Sequence, residues 1–322
     1  MPPAYWRARV GPYADFVTVL AGTVAGVVEI GDDVGPVREI EGHVTALAPD
    51  PDGTCWGVLD RRALIRRDLD GAWDRVPAQV DSAITAVHPT GFGALVGTAD
   101  ARLWAVVRAD ASPVTGFDTV AGRDGWHAVG SPRPYVRSVS STAGDGALLA
   151  SVHVGGIPRS TNGGASWAPT VDVDADVHEV RAHPVDPSRV MAAAAIGLLE
   201  SDDGGETWQE PTTRGLHATY LRALAFPTGA VIVSASDGPF GDRVALYRRA
   251  LDGVEFERCT AGLPAWLPAI VDTGLLAADG ARVVAGTADQ VALSEDGGQR
   301  WTIVARELAP VTAVALLSTP GG

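Results

Sequence analysis

The sequence predicts an all-β chain folded as a seven-bladed β-propeller, and three observations carry that prediction. A Ser-x-Asp-x-Gly-x-Thr-Trp pattern recurs along the chain. Short apolar strands of one type begin at positions 44, 84, 136, 180, 221, 271 and 311, which are intervals of 40 to 52 residues. The last of these repeats is cut short by the C-terminus, and strands that would complete it lie at the N-terminus. Such spacing is that of a four-stranded blade.

Composition agrees with this class. Hydrophobic residues make up 46% of the 322 and charged residues 20%, which excludes a disordered chain. The 38 glycines supply turns, Val and Thr are frequent, and long helical patterns are missing. A chain of this length would ordinarily divide into about two domains. Repeated sheets lengthen a domain without enlarging one core, so residues 1–322 are expected to form a single propeller domain.

The inner strands follow in order. They are Val44-Thr45-Ala46-Leu47, Ile84-Thr85-Ala86-Val87, Val136-Arg137-Ser138-Val139, Val180-Arg181-Ala182-His183, Leu221-Arg222-Ala223-Leu224, Val271-Asp272-Thr273-Gly274 and Val311-Thr312-Ala313-Val314. The N-terminal strands at Phe16 to Leu20, Val24 to Ile30 and Val37 to Ile40 complete the blade begun by residues 310–318. Joining the chain ends in one blade hides two sheet edges that would otherwise be open. Six blades with loose ends is the runner-up arrangement, and it would leave apolar strands unpaired.

The recurring marker is clearest at Ser160-Thr161-Asn162-Gly163-Gly164-Ala165-Ser166-Trp167, Ser201-Asp202-Asp203-Gly204-Gly205-Glu206-Thr207-Trp208 and Ser294-Glu295-Asp296-Gly297-Gly298-Gln299-Arg300-Trp301. A degenerate copy lies at Asp68 to Trp73 and another at Leu251 to Phe256. In such a turn the Asp or Asn oxygen accepts backbone N–H groups, and Gly permits positive φ. The Trp covers the gap between neighbouring sheets. These residues are therefore read as structural staples, not as a site.

On these three copies the sequence resembles the Asp-box, or BNR-repeat, propellers of the broader WD40/YVTN-like group. That group includes sialidases, sortilin-type receptors and photosystem-assembly propellers. The resemblance implies the fold but not sialidase catalysis. Sialidases use six blades, an Arg triad, a Phe/Tyr-Arg-Ile-Pro motif and a Tyr–Glu nucleophile pair. Tyr5-Trp6-Arg7-Ala8 does not match that motif, and Gly156-Ile157-Pro158-Arg159 has the wrong order.

Propeller ligands usually meet the rim of the central channel. The second residue of the aligned inner strands reads Thr45, Thr85, Arg137, Arg181, Arg222, Asp272 and Thr312 around the ring. Three consecutive Arg suit a carboxylate or phosphate, because guanidinium is a planar fork of donors. His153, His178 and His217 are expected on the same side, with Asp237, Tyr135 and Tyr220 beside them. Here Arg137, Arg181, Arg222, Tyr135, Tyr220 and Asp237 are the candidate ligand-binding residues. His153, His178, His217 and Asp272 are the candidate catalytic ones. The three His are also candidate ligands for one divalent metal ion at the channel mouth. Against this stands the plainer reading that each Arg pairs with an acid of a neighbouring blade, for which Asp176, Glu179 and Asp272 are available.

Two functions follow as expectations. One is binding of an anionic small molecule or glycan, with hydrolysis or elimination at the mouth, metal-assisted or not. The other is a non-catalytic platform or assembly scaffold that recognises an acidic peptide. A net charge of −14 and a pI near 4.8 disfavour nucleic acid and anionic membranes as partners. All 25 basic residues are Arg, which removes lysine chemistry. Cys55 and Cys259 make no disulfide framework. No apolar leader opens the sequence and no run of about 18 apolar residues occurs, so a cytoplasmic location is expected.

Overall fold

A computed structural model describes residues 17–31, 34–37, 40–128, 130, 133–144 and 146–318. The strands form seven separate antiparallel sheets, six of them four-stranded. Blade one runs Val44–Pro49, Cys55–Leu59, Ala63–Arg67 and Trp73–Val76 from inner to outer strand. Blade two follows with Ile84–Thr90, Gly93–Thr98, Leu103–Val107 and Asp110–Pro113. Blade three holds Val136–Ser141, Leu148–Val152, Pro158–Ser160 and Ala168–Pro169. Blade four has Val177–Ala182, Val190–Ala194 and Gly197–Ser201, with one further bridge between Leu198 and Thr212. Blade five holds Tyr220–Ala225, Ala230–Ser236, Val244–Ala250 and Glu257–Arg258, and blade six Leu276–Asp279, Arg282–Thr287, Gln290–Ser294 and Thr302–Ala305.

The seventh blade joins the two ends of the chain. Its inner strand, Val311–Ser318, pairs with Val17–Thr23, and Gly26–Ile30 and Val34–Pro36 follow outward. The composite blade is therefore present, and the six-bladed alternative is excluded by the sheet count. Its outermost strand lies at Val34–Pro36, earlier than the expected Val37 to Ile40. Ile40 instead packs into the core between blades seven and one, with Leu20, Leu47, Leu59 and Trp73. Phe16, residues 38–39 and the Tyr5–Ala8 segment fall outside the described residues.

Second strands such as Cys55–Leu59, Leu148–Val152 and Val190–Ala194 are buried along their whole length. This follows from stacking, since each blade is covered on both faces by its neighbours. The inner strands have a further need, because their outward N–H groups lack a fifth strand. Side chains of the preceding blade supply acceptors: Ser138 takes the Val180 N–H at 2.9 Å, Ser140 that of Ala182 at 2.9 Å, and buried Glu179 that of Leu224 at 2.9 Å.

The three full Asp boxes share one set of contacts. Asp203 Oδ1 accepts the Glu206 and Thr207 N–H groups at 3.0 and 2.9 Å, and Ser201 Oγ accepts that of Gly205 at 2.8 Å. Asp296 and Asn162 repeat the pattern toward Arg300 and Ser166. Gly205 and Gly298 have φ of +82° and +86°, and a Cβ there would overlap Leu149 or Ile232 of the preceding blade. Arg159 Nε and Arg248 Nε donate to Gly204 and Gly297 of the next box, both at 2.8 Å. The boxes thus fasten blade to blade, as the sequence reading assigned them.

Candidate functional site

A channel of about 1330 Å³ runs between the inner strands. Its mouth is shaped by a β-bulge near the start of the inner strands. Register slips between Val44 and Ala46, Ile84 and Ala86, Val136 and Ser138, and Val177 and Glu179. Blades five and seven slip in the same place, after Leu221 and beside Val311. A bulged residue leaves the two-residue alternation, so its side chain is re-aimed. The bulged residues are Thr45, Thr85, Arg137, His178, Arg222 and Thr312. Blade six has no bulge here. Its inner strand starts only at Leu276, and Asp272 and Thr273 sit in the turn before it, closed by the Leu275 N–H on the Asp272 carbonyl at 2.9 Å.

This corrects the expected ring at two places. His178, not Arg181, stands level with Arg137 and Arg222, because the blade-four strand begins three residues earlier than the aligned motif. Asp272 belongs to a turn, not to an inner strand. Arg181 lies about 10 Å further along its strand at 3.3 Å per residue. There it lines the channel and pairs with Glu179 at 2.6 Å.

Arg137, Arg222 and Asp272 meet across the mouth. Arg137 Nη2 donates to Asp272 Oδ1 and Arg222 Nη1 to Asp272 Oδ2, both at 2.8 Å. Arg137 also donates to the His178 carbonyl at 3.2 Å and to the Tyr135 hydroxyl at 3.3 Å. Thr273 Oγ1 reaches the His178 and Arg222 carbonyls at 3.0 and 3.3 Å. Blades three to six are thereby tied together on the channel side. Each of Arg137, Arg181 and Arg222 has an acidic partner, but only Arg222 finds it on the neighbouring blade as the plainer reading expected: Arg137 reaches across the mouth to the same Asp272, and Arg181 pairs within its own strand. Burial works against the Asp272 charge, but Arg137 and Arg222 outweigh it and hold the carboxyl below its ordinary range.

Behind this tie lies a His–Asp–His group. Asp176 Oδ2 is 3.3 Å from His178 Nε2, and its Oδ1 is 3.7 Å from His153 Nε2. His178 is fully buried, and its Nδ1 meets the Leu221 carbonyl. The His153 ring lies 4.9 Å from Tyr135, and the His178 ring 4.7 Å from Tyr220. Burial and the Arg137 charge push His153 below the usual imidazole range. Burial opposes ionisation of Asp176, but His178 and His153 outweigh it and keep the carboxyl low. Burial raises the Tyr220 hydroxyl. Among the described residues His153 Nδ1, Asp176 Oδ1, His178 Nε2 and Arg222 Nε are buried without a hydrogen-bond partner.

His217 is held by a different set of residues. Its Nδ1 meets the Tyr247 hydroxyl at 2.9 Å, its Nε2 lies 3.4 Å from Asp237, and its ring is 4.9 Å from Trp266. Asp237 also takes Arg243 at 2.6 Å. No contact joins His217 to His153 or His178, so the expected triad of histidines does not assemble. Among the described residues no group of three or more His, Cys, Asp or Glu is placed to hold a metal. Sequence reasoning set Asp176 aside as a mere partner, and it overlooked Thr273. A signal existed for Asp176, since it lies two residues before His178, immediately ahead of the inner strand.

The BNR/Asp-box repeat family model matches residues 199–210, the second and best-formed box. No curated protein matches the chain. Among solved structures the fold is similar to an ancestral GH74 enzyme, with a TM-score of 0.60 and 14% identity over 95% of this chain and 40% of that one. It is similar to the GH74 xyloglucanase from Xanthomonas campestris at a TM-score of 0.58 and 18% identity, over 91% of this chain and 47% of that one. The computationally designed Ika8 protein gives a TM-score of 0.58 and 14% identity, over 96% and 92%. At these identities the likeness is one of fold alone, and the chain spans less than half of either GH74 structure. Among the described residues no helix is long and apolar enough to cross a membrane.

Proposed function

We propose that this propeller is a ligand-binding protein whose site is the channel mouth on blades three to six, and that its ligand is a polyhydroxylated molecule of the glycan type. The observation that carries the reading is the set of four buried polar atoms without a hydrogen-bond partner, on His153, Asp176, His178 and Arg222, among which Asp176 makes only ion-pair contacts with the two imidazoles. Buried polar groups are normally satisfied, so such a cluster calls for a partner. The set mixes an acceptor on Asp176, a donor on Arg222 and ring nitrogens that serve as either. Hydroxyl groups both donate and accept, so they match a mixed set better than a bare anion does. The Tyr135 and Tyr220 rings flank the group, packed against His153 and His178. The fold shared with GH74 enzymes, one of them a xyloglucanase, lends support by analogy only.

The reading is of binding without hydrolysis. Glycoside hydrolysis ordinarily needs one carboxyl that keeps its proton near neutral pH. Asp176 and Asp272 are both held below the ordinary carboxylate range. A second reading, an acidic ligand clamped by Arg137 and Arg222, requires that ligand to displace Asp272 from both guanidinium groups. Titration calorimetry with neutral xyloglucan oligosaccharides, oligouronates and inorganic phosphate separates the readings. Neutral oligosaccharides are expected to bind, and His178→Ala or Asp176→Ala to weaken binding about tenfold, the size of one lost hydrogen bond. Absence of oligosaccharide binding, or equal binding by both variants, would overturn the proposal.

A further inference from the structure

We propose that Asp272 sets the charge of the ligand: it is a carboxylate built into the site, standing where an acidic ligand would sit on Arg137 and Arg222. This rests on the reading of the mouth as a binding site. Its two oxygens divide between two arginines, each at 2.8 Å, as a bound carboxylate would. The turn before Leu276 delivers it there, and the Thr273 N–H fixes Oδ1 from below at 2.8 Å.

The remaining guanidinium nitrogens offer little to a second anion. Arg137 uses Nε on the His178 carbonyl, Nη1 on Tyr135 and Nη2 on Asp272. Arg222 has Nη1 on Asp272 and Nη2 on the Pro239 carbonyl at 3.0 Å, which leaves one N–H on each Nη and a buried Nε. Exposure points the same way. The Arg137 and Arg222 side chains are 8% and 13% exposed and that of Asp272 is 40% exposed, so an approaching molecule meets the carboxylate first. An acidic ligand would face like charge at close range, which disfavours its approach. A hydroxyl would meet an acceptor, because Oδ2 takes only Arg222 and keeps a lone pair.

Asp272→Asn tests this, since it keeps the shape and removes the charge. The probes are inorganic phosphate and glucuronate, followed by calorimetry on the native protein and the variant. The native protein is expected to bind neither, and Asp272→Asn to gain affinity by at least about tenfold. The double variant Arg137→Gln/Asp272→Asn should lose that gain. Equal affinity of native protein and Asp272→Asn for both anions would overturn the inference. If Asp272→Asn does not fold, Arg222→Gln/Asp272→Asn against Arg222→Gln makes the same comparison with one cation and no carboxylate. A native protein that binds no neutral oligosaccharide defeats the reading of the mouth as a glycan site, while the anion titrations still decide the role of Asp272.

Discussion

Arg137 and Asp272 lie 135 residues apart, on blades three and six, and meet at 2.8 Å. With Arg222 on the other oxygen, one carboxylate braces three blades at the channel mouth. Asp272→Ala leaves two largely buried guanidinium groups facing each other. A broken buried pair costs about 3–5 kcal/mol, and the partial exposure of Asp272 reduces this to about 1–3 kcal/mol. The sign with pH follows from the lowered carboxyl. Its contribution is present above the unfolded value of about 3.9 and is lost as pH falls through the lower folded value. Denaturant midpoints measured from pH 6 down to the acid limit should fall less in Asp272→Asn than in the native protein, since the remaining loss comes from other lowered carboxyls such as Asp176.

His88 should give stability a second dependence on pH. Its Nε2 meets Ser141 Oγ at 2.9 Å, and burial and the Arg181 charge push the ring to about 4. The unfolded chain takes the proton first, near about 6.5. Stability should therefore fall as pH drops from about 6.5 to about 4, by about 1–2 kcal/mol after allowance for solvent in the channel. His153 is shifted in the same direction and adds to the slope. Melting temperatures across this window should decline more gently in His88→Gln than in the native protein.

The Asp boxes predict a rescue. Gly298→Ala places a methyl group on Ile232 of the preceding blade, at a φ of +86°. The combined strain and overlap should cost about 2–4 kcal/mol. Ile232→Val made together with Gly298→Ala relieves the overlap but not the backbone strain. The pair should recover part of the loss, seen as a non-additive shift in the denaturant midpoint.

Closure of the ring predicts a cooperative failure. The Val311–Ser318 strand pairs with Val17–Thr23 from Val17↔Ser318 to Thr23↔Val311. A chain ending at residue 309 would expose the edge of Val17–Thr23 and uncover Val44 and Leu47 in the adjoining core. Such a chain should aggregate or lose its single unfolding transition, whereas one ending at residue 318 should unfold as the native protein does. Size-exclusion chromatography and a denaturant titration separate the two outcomes.

The ring is legible in the residue pattern alone. Blade period, the Ser-x-Asp-Gly-Gly turns and the joined ends are set by local chemistry: two-residue alternation, positive φ at Gly204 or Gly297, and side-chain acceptors for turn N–H groups. Arg137, His153, His178, Arg222 and Asp272 could be named as candidates for the same reason, since their places follow from strand ends. How they combine follows from the closed ring. The blade-four inner strand begins three residues before the aligned motif, so the bulge puts His178 in the place expected for Arg181, and no local pattern marks that shift. Closing the ring brought Asp272 between two arginines of other blades, and it left His217 stacked on Tyr247 and tilted against Trp266, apart from the other histidines. Partnerships across a ring depend on the positions of all the intervening blades, which the spacing of residues along the chain does not contain.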